Sequence, residues 1–238
     1  MASPRRNPIR PIEALRGIRA LLRDPDDTAQ VFRIIRSLAG NSIERNFQRF
    51  EASETGATIL AENRSLVARL SDREYLESLP AGSLGRVYAD FTRTENISPD
   101  GLVAASNEVD AEPGPVCPKR ELFAERLRDM HDLWHVVTGY GRDLIGEAAL
   151  LAFTYRQTRN RGIGFILLVI YLRSGRELPQ ERVLIRDGLR RSKQAEWLPG
   201  ADWEALLERP LDEVRRTLRV EPIGDYERVR SEGAPALA

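Results

Sequence analysis

Only two histidines occur in this chain of 238 residues, and they stand four apart, at His131 and His135. On an α-helix that spacing sets the imidazoles about 40° apart and one turn along the axis. Both then project from one side and, as neutral ligands, can grip a single divalent metal ion. The residues around them predict the helix. Between Pro118 and Gly139, the residues Phe123, Leu127, Met130, Trp134 and Val137 recur at steps of four, three, four and three, an apolar stripe with the histidines beside it. A break is expected at Thr138-Gly139-Tyr140-Gly141, and a second helical pattern runs through RDLIGEAALLAFTYRQT. In an antiparallel hairpin, His131 and Glu147 lie about equally far from the turn and come level with each other. Glu147 shares a face with Leu144, Leu151 and Thr154, where a carboxylate is expensive to bury unless it is paired or metal-bound.

The competing arrangement is a pair of packed core histidines bonded to backbone carbonyls, with Glu147 paired to an arginine. Two histidines placed together at ligand spacing, with a carboxylate level with them, favour the metal. Asp132 is rotated about 100° from His131 and about 60° from His135. It can be a direct ligand, a base on a bound water or a group that orients an imidazole. Asp129 and Asp143 read as surface or capping residues. Two histidines with one or two carboxylates leave coordination positions for water or substrate, as catalytic sites do. Zinc suits the mixed nitrogen and oxygen set, and iron suits two histidines plus a carboxylate.

The elements that position these residues are helices. Apolar residues recur at helical spacing over Ile12 to Arg23, DDTAQVFRIIRSLAG, Leu66 to Leu76, Leu84 to Phe91 and Leu178 to Leu198, whereas strand-like alternation is scarce. The expected fold is mostly α: a single-domain multi-helix bundle whose central helical hairpin carries the metal motif. Residues 1–10 are expected as a flexible arm, 11–220 as the helical domain and 221–238 as a loosely ordered tail, with a long loop from Ser98 to Pro118. A 42% hydrophobic content supports a real core. The 36 basic and 36 acidic residues balance, which argues against a nucleic-acid partner, and a lone Cys117 excludes an intramolecular disulfide. The longest apolar run, Ile163 to Leu172, would cover roughly 15 Å as a helix, half of the bilayer core of about 30 Å. The first helix sets Arg16, Arg19 and Arg23 on one face, which suits an anionic membrane surface or, more simply, a solvated face.

His131-Asp132-x-x-His135, then eleven residues, then Glu147 resembles the HDxxH-x11-E motif of the coenzyme Q biosynthesis protein four family, and the resemblance extends from the first helices to AEWLPGADWEALLERPLDEVRRTLRVEP. It implies a mostly helical protein of ubiquinone biosynthesis that holds a divalent metal, usually described as zinc, through His131, Asp132, His135 and Glu147. It further implies a carboxy-lyase acting on a polyprenylated hydroxybenzoate, removing the ring carboxyl and in some accounts replacing it with hydroxyl. In that role Asp132 is the candidate for proton handling. The residues agree with that substrate in two ways: the run Ile163 to Leu172, with Ala148, Leu151 and Phe153, can line a channel for the prenyl tail or, more simply, form core, and Arg156, Arg159 and Arg161 can meet a carboxylate or lipid phosphate or, more simply, form a solvated charge cluster. Implied partners are the polyprenylated lipid, other ubiquinone biosynthesis proteins and a membrane surface, with room for a homo-oligomer. The expected location is the cytoplasm, at the inner face of a bacterial inner membrane, or the matrix side of the mitochondrial inner membrane in a eukaryote. The alternative is a non-catalytic lipid-binding scaffold for the other enzymes of that pathway. A metallohydrolase of HExxH type fits less well, because Asp132 stands where that motif has a glutamate.

Overall fold

The computed structural model describes residues 8–24, 27–108, 117–174 and 179–229, and among these no β-strand forms, only an isolated bridge between Ser83 and Pro210. The N-terminal helices are α1 (Pro11–Leu21), α2 (Thr28–Leu38), α3 (Ser42–Glu51), α4 (Glu54–Glu62), α5 (Leu66–Leu70) and α6 (Arg73–Ser78). Next come α7 (Leu84–Thr94), α8 (Pro99–Asn107), α9 (Pro118–Asp129), α10 (His131–Thr138), α11 (Leu144–Thr158), α12 (Arg161–Arg173) and α13 (Pro179–Gln194). A 3-10 turn, Leu198–Gly200, leads to the short α14 (Trp203–Leu206) and to α15 (Leu211–Leu218). Local chemistry starts many of these helices. Asp27, Ser53, Ser65, Asp72, Ser83, Asp143, Asn160 and Asp202 each accept a first-turn backbone N–H, a contribution of about 0.5–2 kcal/mol apiece.

The expected helical hairpin is present and lies at the centre of an all-α single domain. The largest core cluster takes Met130, Leu133, Trp134 and Val137 from the start and length of α10, and Ile145, Ala149, Leu150 and Phe153 from α11. Leu84 and Tyr88 of α7 and Trp203, Val214 and Leu218 of the C-terminal helices close over them. A second cluster joins α1, α2 and α12 through Ala14, Ile18, Ile34 and Ile166.

Several boundaries differ from the sequence expectation. The segment from Ser98 to Pro118 is not a continuous loop, because α8 forms with Pro99 at its first position, where a missing N–H costs nothing; residues 109–116 lie outside the described residues. The helix expected from Pro118 to Gly139 is divided at Met130, although Met130 N–H still bonds Arg126 O at 3.0 Å and Trp134 N–H bonds Met130 O at 3.1 Å. The helical register therefore carries through, and the apolar stripe stays aligned. Leu66 to Leu76 divides into α5 and α6, since the Asp72 side chain accepts from Tyr75 N–H at 3.0 Å and starts a new helix. In α12, Ile163, Ile166 and Leu167 are buried, while Leu168 and Leu172 face outward, so the apolar run is half core and half surface. Ala148 and Phe153 are wholly core residues. Arg159 takes a left-handed conformation, φ 54°, as the C-cap of α11.

Candidate metal centre

Helix α10 ends at Gly139, which adopts φ +79°, a left-handed conformation that glycine enters without a Cβ penalty. Four residues later Asp143 caps α11, its Oδ1 accepting Gly146 N–H at 3.2 Å. The chain reverses so tightly here that a Cβ on Gly146 would stand 2.1 Å from Gly141 O. This short turn sets Glu147, in the first turn of α11, against the histidine face of α10. Matched arm lengths anticipated that geometry.

His131 and His135 are shared by two groups, one with Glu147 and one with Asp132. His131 Nε2 and His135 Nε2 are 3.3 Å apart. Glu147 places Oε1 3.3 Å from His135 Nε2 and Oε2 3.7 Å from His131 Nε2. One ligand atom from each of His131, Asp132 and His135 lies within 4.8 Å of the other two, a group able to hold a metal ion. Donors bound at 2.0–2.1 Å to a tetrahedral zinc are about 3.4 Å from one another, so the histidine and glutamate separations fit such an ion. The tautomer fits as well. His135 Nδ1 lies 2.9 Å from Tyr140 O, and since a carbonyl only accepts, the Nδ1 proton is fixed there and Nε2 offers its lone pair.

Burial is uneven. The His135 side chain is fully enclosed, whereas His131 and Glu147 keep 28% and 32% exposure, leaving one side of the cluster open to an incoming molecule. Phe91 of α7 stacks on the His135 ring, centroids 5.9 Å apart. Tyr88, one turn earlier, is buried with its hydroxyl unpartnered, and burial, then the charges of Asp132 and Asp129, push that phenol far up, so it remains protonated. Burial pushes the Glu147 carboxyl up too, but the charge and hydrogen bond of His135, then His131 and Arg142, outweigh it and hold the group at about 2. Burial and the neighbouring His135 push His131 below its ordinary value. Burial alone would lower His135, yet Glu147, Asp132 and the Tyr140 carbonyl raise it.

Segments far away in sequence hold the hairpin. Arg215 of α15 donates from Nε to Val137 O at 3.0 Å and from Nη2 to Val136 O at 3.1 Å, and Ile223 N–H bonds Thr138 O at 2.8 Å. The last-turn carbonyls of α10, which a helix leaves orphaned, are thereby satisfied. Of the expected tail, residues 221–229 form no helix, in keeping with their lost periodicity, and are bonded to the turn, whereas residues 230–238, like residues 1–7 of the expected arm, lie outside the described residues. Tyr226 Oη accepts Gly141 N–H at 2.9 Å and donates to Asp143 Oδ2 at 2.6 Å, and Leu144 N–H bonds Val229 O at 2.8 Å. Asp143 is thus a cap as expected, but a buried one. Asp129, expected at the surface or as a cap, is buried and paired with Arg128 at 2.7 Å. No motif or spacing in the sequence marks Tyr88, Phe91, Arg142, Arg215 or Tyr226. Only Phe91 and Tyr88 left a trace there, as members of a helical pattern.

A helical hairpin that brings two imidazoles and two carboxylates together, one side open, defines an all-α protein with a candidate metal site. Residues 11–224 match the family described as "Coenzyme Q (ubiquinone) biosynthesis protein Coq4", and the chain belongs to that family of ubiquinone biosynthesis. It is 31% identical over 181 residues to the mitochondrial ubiquinone biosynthesis protein coq-4 of Neurospora crassa, covering 74% of this chain and 49% of that protein. It is 32% identical over 180 residues to the mitochondrial coq4 of Talaromyces stipitatus, covering 75% of this chain and 60% of that one. The chain therefore spans about half to three fifths of the length of these relatives. A crystal structure from Nostoc punctiforme, also assigned to ubiquinone biosynthesis, shares the fold with TM-score 0.61 at 20% identity, covering 88% of this chain and 98% of that one. Among the described residues no helix is long and apolar enough to cross a membrane.

Proposed function

We propose that this chain is a metal-dependent carboxy-lyase of ubiquinone biosynthesis that removes the ring carboxyl from a polyprenylated hydroxybenzoate. The observation that carries this reading is the mutual approach of His131, His135 and Glu147, with Asp132 beside them and one side open. His131, Asp132, His135 and Glu147 would hold a divalent ion, zinc by family resemblance. Such an ion supplies positive charge beside the ring carboxylate or phenolic oxygen and stabilises negative charge that develops as carbon dioxide leaves.

The protein's own groups do the rest. His135 is locked in one tautomer by the Tyr140 carbonyl, so the ligand does not need to reorganise. When the carbon–carbon bond breaks, its electron pair stays on the ring carbon and takes up a proton. The proton comes from water, and Asp132 is the group we assign to relay it, its carboxylate taking the proton from water and giving it to the ring carbon. The enzyme would work at the inner face of a bacterial inner membrane, or at the matrix side of the mitochondrial inner membrane in a eukaryote, beside other proteins of the pathway.

The test is product analysis. Zinc-loaded protein incubated with carboxyl-labelled 3-geranyl-4-hydroxybenzoate is expected to release labelled carbon dioxide and 2-geranylphenol, and Asp132→Asn to slow that release by two to four orders of magnitude. Carboxylate unchanged with zinc, iron or manganese bound overturns the reading.

A further inference from the structure

Arg142 stands in the turn between α10 and α11, with its Nε 3.7 Å from Glu147 Oε1. That is too long for a hydrogen bond, and among the described residues no other carboxylate pairs with it. Its charge acts on both His131 and Glu147, so the guanidinium belongs to the site. The backbone on either side is pinned: Gly141 N–H is held by Tyr226, and Asp143 caps α11. The side chain, by contrast, keeps 33% exposure. A fixed stem therefore presents a loosely engaged guanidinium beside the open side of the cluster. Of the other arginines near the hairpin, Arg215 is committed to the carbonyls of α10 and Arg191 to Asp187, while Arg228 lies against the turn at Gly141 beside Tyr226.

Charge balance gives this arginine a purpose. Asp132 and Glu147 bring two negative charges, which a divalent ion neutralises, and Arg142 leaves the site with one positive charge over. Once Glu147 ligates an ion, its weak pairing with Arg142 is weaker still. We propose that Arg142 is the carboxylate-binding residue of the site, recognising the ring carboxylate of the incoming aromatic acid and thereby distinguishing substrate from a product that has lost that charge. A guanidinium suits this task because its planar fork matches a carboxylate. The inference rests on the aromatic-acid substrate of the proposed function, but not on turnover.

The test is binding to the zinc-loaded full chain, by calorimetric titration of 3-geranyl-4-hydroxybenzoate and of 2-geranylphenol. Arg142→Gln is expected to weaken the acid ten- to a hundredfold, the loss of one or two charge-assisted hydrogen bonds, and to change the phenol less than twofold. Arg142→Lys should keep part of the preference for the acid. Phenol binding in each variant also reports whether the site is intact. Equal weakening of both ligands, or of neither, overturns the proposal. If the acid preference follows Arg142 but no carbon dioxide is released, the carboxy-lyase reading falls and this one stands; release without an Arg142-dependent preference gives the reverse.

Discussion

His135 Nδ1 and the carbonyl oxygen of Tyr140 meet at 2.9 Å across the end of α10. The turn that brings Glu147 back to the histidines is therefore also the turn that fixes the tautomer of one of them. Imidazole orientation and hairpin geometry are coupled, and residues that hold the turn also hold the candidate metal site.

Tyr226 holds the turn directly, through hydrogen bonds with Gly141 N–H and Asp143 Oδ2. Removing the hydroxyl leaves an N–H unpartnered and deprives a buried carboxylate of a donor. Tyr226→Phe is expected to lower stability by about 1.5–3 kcal/mol and to weaken zinc binding by about ten- to a hundredfold. Urea unfolding and a competitive zinc titration measure the two effects. A stability loss with unchanged zinc affinity would uncouple tail from site.

Arg215 closes the other side by donating to Val136 O and Val137 O. Burial pushes its guanidinium down from the ordinary value, yet an arginine stays charged throughout the usual pH range. Arg215→Met keeps much of the stem but leaves two last-turn carbonyls without their donor. The expected cost is about 2–4 kcal/mol, at about 1–3 kcal/mol for each unsatisfied group with partial rescue by water. Thermal or urea unfolding that matches wild type would contradict the role assigned to this contact.

Zinc binding should respond to pH through His135. In the metal-free protein that imidazole is raised above its ordinary 6.5, mainly by Glu147 against the opposing effect of burial, whereas His131 is lowered. A metal requires the neutral ring, so a proton on His135 competes with it. Affinity is expected to be flat at high pH and to fall about tenfold per unit once pH drops below the raised value. The fall should begin above pH 6.5 in wild type and at a lower pH in Glu147→Gln, where the raising charge is gone. An onset below pH 6 in wild type would contradict the observed pairing.

The centre of the site could be read in the sequence because a helix converts spacing into direction. The four-residue step between His131 and His135 and the matched distances to the turn place Glu147 correctly without tertiary information. The apolar stripe through Met130, Trp134 and Val137 also points to the core as read, even though α9 and α10 divide at Met130. The residues that brace the site could not be read this way. Arg215 and Tyr226 come from segments about 80 residues further on, Arg215 pairing with Val136 and Val137 and Tyr226 with Gly141 and Asp143, and no local period links them to α10. The stretch after Arg219 forms no helix, yet Val220, Ile223, Tyr226 and Val229 lie in or against the main core cluster and the Tyr226 hydroxyl bonds the turn, contacts made along an extended chain that no helical period reveals. Pro99 reads as a breaker, yet it opens α8, since proline breaks a helix from within but not at its start.

The central claim is that His131 and His135 hold a metal ion together with Glu147. Elemental analysis of the purified chain by inductively coupled plasma mass spectrometry tests it most directly, comparing wild type with a His131→Ala, His135→Ala double variant shown to be folded by its circular dichroism. About one divalent ion per wild-type chain is expected, and almost none in the variant. A folded double variant with the same metal content as wild type would contradict it.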